Sequence, residues 1–258
     1  MKCACRHFEC VLCEGAAESR GTPAQVCEVP RLVSRETLHP GANLFRQGEP
    51  AEAVHVLRDG YVKLSSTLVD GRQQILCVSR GGHVLGFDGL PDGRYGCTAQ
   101  ALTYVTVCTV RAADLWRILE QNPEVSRRAI LSLSGDLQRS RAQQCDLGAK
   151  SALERVASFL LRLGCTPQGV PAPVAQPLSR AEIAEMLGLT IGTVSRSIAR
   201  LQRERIVLAP RGRLRVLDVA RLRAAAGEPA VPAAVPLTVP LPRRPRAAPA
   251  AAVRLANA

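Results

Sequence analysis

Cys5, Cys10 and Cys13 stand in a C-x4-C-x2-C arrangement, with Cys3 just before them. Thiolates at that spacing hold iron–sulfur clusters, three ligands being local and the fourth coming from far along the chain. The same stretch offers a second chemistry. Cys3, Cys5, His7, Cys10 and Cys13 hold enough soft donors for a tetrahedral zinc site. A third is thiol–disulfide sensing without metal. Of the remaining cysteines, Cys77, Cys97, Cys145 and Cys165 read as small, buried or half-buried hydrophobes, and Cys27 as a free thiol. His39, His55 and His83 stand singly and read as packing or surface residues.

A different chemistry is written between Ser179 and Leu201. Ser179 and Glu182 have capping-box spacing, so a helix is expected to start there. Gly188 suits the left-handed residue that ends it, and Thr190 can cap the next helix. Two short helices around a glycine turn form a helix-turn-helix. On the second helix, Ile191, Val194, Ile198 and Leu201 recur at spacings of three and four and predict a buried apolar stripe. Arg196, Arg200 and Arg203 run down the other side. The N-terminal end of such a helix enters the major groove of double-stranded DNA. A guanidinium at Arg196 can hold guanine O6 and N7 in bidentate fashion. Ser195 can bond a base edge or a phosphate, and Thr190 suits a phosphate. Gly192 and Thr193 lie on the same reading end, while Arg200 is placed deeper and suits the DNA backbone. Downstream, Ile206–Leu217 alternates around Pro210 and Gly212 as a β-hairpin wing that carries Arg211, Arg213 and Arg215.

These residues need elements to position them. The chain has 258 residues, enough for one or two domains with a packed core. Lys and Arg number 34 against 22 Asp and Glu, a net charge of +12. That balance suits a polyanionic partner. Half of it sits on residues 179–226, where ten arginines face four acidic residues. No run of about 18 apolar residues exists, so no membrane helix is expected. The start of the chain lacks the apolar stretch of a secretory signal, which points to a cytoplasmic protein. No P-loop, H-E-x-x-H, Ser-His-Asp order or G-x-G-x-x-G after a strand is present, which argues against an enzyme.

The organisation follows from punctuation and period. Residues 1–28 read as a cysteine-rich arm. Residues 29–121 hold short β-branched runs between glycines and predict a jelly-roll-like β-roll sensor domain. Asn122-Pro123-Glu124 reads as an N-cap and first turn of a long helix over 122–148. Along it Ile130, Leu133, Leu137, Ser140, Gln144 and Leu147 form an a/d seam suited to a homodimer, weakened by two polar positions. Residues 149–225 form the winged helix-turn-helix domain, and 226–258, rich in Ala, Pro and Arg, read as a disordered tail. The fold class is α+β.

That order of parts resembles the cyclic-AMP receptor protein and fumarate and nitrate reduction regulator (CRP/FNR) superfamily, over residues 30–222. Leu44-Phe-Arg-Gln-Gly48, Asp59-Gly60, Leu85-Gly-Phe-Asp88, Ala99-Gln-Ala101, Leu187-Gly-Leu-Thr190 and Val194-Ser-Arg196 resemble its oxygen-sensing branch. The resemblance implies a dimeric transcription regulator that binds a pseudo-palindromic DNA site and acts with RNA polymerase. It also implies a 4Fe–4S cluster that assembles without oxygen, held by three N-terminal cysteines and one late in the β-roll. The late one matches Cys108, so the expected set is Cys5, Cys10, Cys13 and Cys108, with Cys3 in reserve; zinc is the alternative. Three departures stand out. The family's usual local spacing is C-x2-C-x5-C. Gly192 stands where the branch usually has Glu. The nucleotide-binding members carry Arg-Ser where this chain has Tyr95-Gly96-Cys97, which argues against cyclic AMP. The alternative function is a regulator gated by a small molecule in the β-roll.

Overall fold

The computed structural model describes residues 33–165, 170–171, 174–175, 177–210 and 212–228. The expected ligands Cys5, Cys10 and Cys13, the reserve Cys3, the tail from 229 and Arg211 lie outside the described residues.

Eight strands build the N-terminal half. They are β1 Val33–Leu38, β2 Asn43–Phe45, β3 Ala53–Asp59, β4 Tyr61–Thr67, β5 Gln73–Arg80, β6 Val84–Leu85, β7 Thr98–Ala101 and β8 Val105–Arg111. They form two antiparallel sheets, ordered β1-β8-β3-β6 and β2-β7-β4-β5. Strand side chains alternate between faces. Val105 and Val107 of β8 therefore join Leu57, Val62, Phe45, Ala99 and Ala101 inside the roll. Cys108 and Val110 join Val54, Val56 and Val84 on the outer face of the first sheet. β8 buries residues on both faces, Val105 and Val107 on one and Cys108 and Val110 on the other, with Thr106 and Thr109 half-buried between them.

That outer face is covered by helices. α1 spans Ala112–Gln121 and α2 spans Pro123–Ala149. Leu115 and Ile118 of α1 and Val125 and Ala129 of α2 complete the cluster. Asn122 precedes α2 but makes no side-chain cap, contrary to the sequence expectation. Its Nδ2 instead donates back to the Ile118 carbonyl at 2.9 Å, closing the end of α1. The side chain is thereby used on α1 and not on the N–H groups of the second and third residues of α2, which an N-cap serves. Farther along, Gln143 Nε2 donates to the Leu76 carbonyl of β5 (2.6 Å). Buried Asp146 pairs with Lys150 (2.7 Å) and Arg162.

The C-terminal half contains α3 Ala152–Gly164, α4 Arg180–Leu187, α5 Ile191–Arg203 and α6 Val219–Ala225. β9 Val174–Ala175, β10 Val207–Leu208 and β11 Arg213–Val216 form a small sheet ordered β10-β11-β9. A capping box of Ser151 and Glu154 starts α3. Val156, Leu160 and Leu163 of α3 meet Ile183 and Leu187 of α4, Val194, Ile198 and Leu201 of α5, and Leu214, Val216 and Leu222. At Gly164 a Cβ would stand 2.6 Å from Val216 Cγ2, so only glycine lets α3 approach the wing strand this closely.

The two halves touch. Ile75 of β5 is 1 % exposed and belongs to the core cluster of the helical half, with Tyr61, Val78 and Leu102 packed against it. Lys63 Nζ meets Glu182 Oε1 of α4 at 2.8 Å, and Gln74 Nε2 donates to the Glu185 carbonyl at 2.8 Å.

Candidate nucleic-acid interface

The local chemistry of the turn explains its geometry. Ser179 Oγ accepts from Glu182 N while Glu182 Oε2 accepts from Ser179 N, a reciprocal capping box. Gly188 ends α4 in the left-handed conformation at φ 63°, where a side chain would be strained. Thr190 then caps α5, its Oγ1 accepting from Thr193 N at 3.2 Å. Two further residues, which no spacing pattern marks, hold the helix ends. Arg155 of α3 donates to the Leu187 carbonyl (3.2 Å), and Arg221 of α6 donates to the Glu204 carbonyl (2.9 Å). Helix C-termini leave carbonyls unpaired and carry partial negative charge, which these guanidinium groups satisfy.

The buried face of α5 consists of Val194, Ser197, Ile198 and Leu201. Ile191, expected in that stripe, is 54 % exposed. It occupies the first helical position, ahead of Val194, where the buried face of the helix begins. The exposed face carries Gly192, Ser195, Arg196, Arg200 and Arg203, with Thr193 half-buried beside them. Arg196 Nη2 rests on Thr193 Oγ1 at 3.2 Å, and Thr193 Oγ1 also lies 2.9 Å from Thr190 Oγ1. Arg200 Nε pairs with Glu204 Oε1 at 2.9 Å. Arg213 and Arg215 project from β11, alternating with buried Leu214 and Val216. One surface therefore gathers hydroxyls and guanidinium groups at the open end of a helix, with a basic hairpin in the same domain. Such a surface suits a groove edged with phosphates.

Of the expected metal ligands, Cys108 alone falls among the described residues. It is 9 % exposed and stands opposite Arg35 across the β1–β8 ladder. The foot of α2, through Val125 and Ala129, belongs to the same buried cluster. Among the described residues no three His, Cys, Asp or Glu side chains gather into a metal site. A nearly buried thiol is compatible with a soft, solvent-shielded metal group.

The interior of the roll holds rings. Phe45 and Tyr95 stack with centroids 3.9 Å apart, and His55 lies 5.6 Å from Phe45. Tyr95 Oη donates to the Ala53 carbonyl (2.7 Å) and lies 3.3 Å from His55 Nε2. His55 Nδ1 lies 2.9 Å from Thr109 Oγ1. Burial pushes the His55 imidazole down to about 4. Arg94, next to the position where nucleotide-binding members carry arginine, donates instead to the Gly48 carbonyl on an exposed loop (2.7 Å). No helix among the described residues is long and apolar enough to cross a membrane.

Residues 35–122 match the family described as cyclic nucleotide-binding domain, and residues 154–225 match the Crp-like helix-turn-helix domain. The transcriptional activatory protein AadR of Rhodopseudomonas palustris is 37 % identical over 209 residues, covering 79 % of this chain and 86 % of AadR. The nitrogen fixation regulation protein FixK of Bradyrhizobium diazoefficiens is 33 % identical, covering 85 % and 94 %. The solved structure of FixK2 from Bradyrhizobium japonicum superposes with a TM-score of 0.67 at 26 % identity, covering 78 % of this chain and 99 % of that one. With the roll, the long helix and the winged helix-turn-helix in this order, the chain belongs to the CRP/FNR superfamily of DNA-binding transcription regulators.

Proposed function

We propose that this regulator works as a homodimer gated by oxygen, through a 4Fe–4S cluster held by Cys5, Cys10, Cys13 and Cys108. The observation that carries the reading is the position of Cys108. Its strand packs against α1, and the first turns of α2 belong to the same buried cluster, so a ligand set that ties the N-terminal arm to Cys108 acts near the foot of the dimer helix. Such a cluster, when bound, supplies lability to oxygen. The protein's own residues supply the rest. Val33, Val54, Val56 and Val110 shield the thiol from solvent. Ile130, Leu133 and Leu137 face outward from α2, available to a second copy.

In the paired state two copies of α5 enter successive major grooves, with half-sites about 34–36 Å apart. Arg196 leaves Thr193 and holds guanine O6 and N7, while Ser195 bonds a base edge or phosphate. Thr190 and Thr193 bond phosphate oxygens, and Arg200, Arg213 and Arg215 neutralise the backbone. RNA polymerase is the expected partner of the DNA-bound dimer.

Purification without oxygen, with a visible spectrum and iron, sulfide and zinc analysis before and after air, tests this reading. The expected protein is brown, contains iron and sulfide, and bleaches in air. The Cys108→Ala variant is expected to be colourless and to bind DNA equally with and without air. One zinc per chain and no iron would instead make the N-terminal cysteines structural.

A further inference from the structure

The exposed end of α5 presents Ile191, Gly192, Thr193, Ser195 and Arg196, a set with one apolar group, two hydroxyls and one guanidinium. It has no carboxylate. The first acidic residue after Thr190 is Glu204, on the far end of the helix and paired with Arg200. In the major groove the cytosine N4 amino group is read by an accepting carboxylate, guanine by arginine, and the thymine methyl by apolar contact. This face therefore has selective groups for guanine and thymine, but only hydroxyls, which bond donors and acceptors alike, where a carboxylate would select the cytosine amino group.

Gly192 lies at the centre of the set, and the fold does not require it to be glycine. Its backbone is helical, not left-handed. A Cβ there would meet no backbone; its nearest atoms are Arg196 Nη1 at 3.3 Å and Thr190 Oγ1 at 3.9 Å, the first at the end of a flexible side chain. Glycine also weakens a helix relative to alanine. A side chain is thus missing at a position that is open, faces outward and gains nothing in stability from its loss. Its absence tells on the DNA side.

We propose that Gly192 leaves one base pair of each half-site unread, beside the guanine held by Arg196, so that the protein tolerates any base there. The inference rests on α5 being the DNA-reading helix and is independent of oxygen gating. Ile191 then contributes a thymine contact on the other side of the gap.

The test is selection of binding sites from a random double-stranded DNA pool by the full chain, prepared without oxygen, as wild type, Gly192→Ala and Gly192→Glu. In the wild type, the half-site is expected to show a strongly preferred G next to a position with less than about twofold preference. Gly192→Ala should keep that gap, since a methyl group accepts no hydrogen bond. Gly192→Glu places a carboxylate four residues before Arg196 and should close the gap, with at least about fivefold preference for one base pair there and the G retained. A wild-type site with strong preference at every position would overturn the inference, as would a Gly192→Glu profile equal to wild type. Protein that selects its site in air and without iron would defeat the oxygen reading yet leave this one standing. Protein that retards DNA but prefers no base anywhere would overturn this one.

Discussion

His55 shows how a single buried side chain sets a property of the whole roll. It is 7 % exposed, with Thr109 Oγ1 at one ring nitrogen and Tyr95 Oη at the other. Burial lowers its pKa from about 6.5 to about 4, so it folds neutral. His83 is lowered to about 4 as well, by burial first and Arg139 second. In the unfolded chain both protonate near pH 6.5, so between 6.5 and 4 the unfolded state binds more protons. Stability is therefore full above pH 6.5 and falls as pH drops towards 4, by about 3 kcal/mol for His55 alone. In the His55→Leu variant, the urea midpoint should be lower at pH 7, because Thr109 loses a partner, but should change less between pH 6.5 and 4. An acid limb as steep as in the wild type would place the proton uptake elsewhere. Such a role was not legible beforehand. His55 reads from sequence as an isolated histidine in a strand, and its partners lie 40 and 54 residues away.

Among elements, the contact between β5 and α4 joins the β-roll to the DNA-binding half. The outer face of the second sheet bears Lys63, Ile75 and Val78, and α4 lies on it. Glu182 serves both sides, capping α4 through Oε2 and accepting Lys63 through Oε1. Burying Ile75 is worth about 2 kcal/mol, and a half-buried ion pair about 1 kcal/mol or less. Against this, Arg180 Nη1 and Glu185 Oε1 are buried on α4 without a hydrogen-bond partner. Each such group costs about 1–3 kcal/mol, which offsets part of what Ile75 and the ion pair contribute. Ile75→Asp removes the apolar plug from outside the roll, so both halves should stay folded while the contact parts. Small-angle scattering should show a larger radius of gyration, and melting should split into two transitions; a compact, single-transition variant would refute this. The same element pair shows what sequence reasoning reaches. Ser179, Glu182, Gly188 and Thr190 were readable because caps and turns are settled within four residues. Ile191 was misplaced because a period of three or four cannot tell the exposed first turn from the buried ones. The Lys63–Glu182 pair spans 119 residues, and no local pattern announces it. Cys108 stood out only through resemblance, since in β8 it looks like one more apolar residue.

At the scale of the molecule, charge and association must work together. A +12 chain with half its net charge on residues 179–226 repels its copy where two DNA-binding domains come close, until DNA neutralises them. In the proposed homodimer the attraction comes from α2. Ile130, Leu133 and Leu137 are 63 %, 41 % and 50 % exposed, so pairing would bury about half of each. At about 1 kcal/mol per side chain, six of them give about 6 kcal/mol, within the about 4–15 kcal/mol that association itself costs. A seam of that strength is one that a small bias at its foot can tip. Ser140 and Gln144, exposed on the same line, keep it there. Replacing both, Ser140→Leu with Gln144→Leu, adds four leucines to the pair and should tighten the dimer at least about 100-fold. The variant should then sediment as a dimer and bind a palindromic site in air as well as without oxygen. Leu133→Asp with Leu137→Asp should do the reverse, leaving a monomer whose weak DNA binding falls steeply with salt and ignores the second half-site. If the leucine variant dimerised but still lost DNA binding in air, α2 pairing would not be what the cysteines control. The bias would then have to pass through the β5–α4 contact, where the Ile75→Asp variant would reveal it as binding that no longer responds to oxygen.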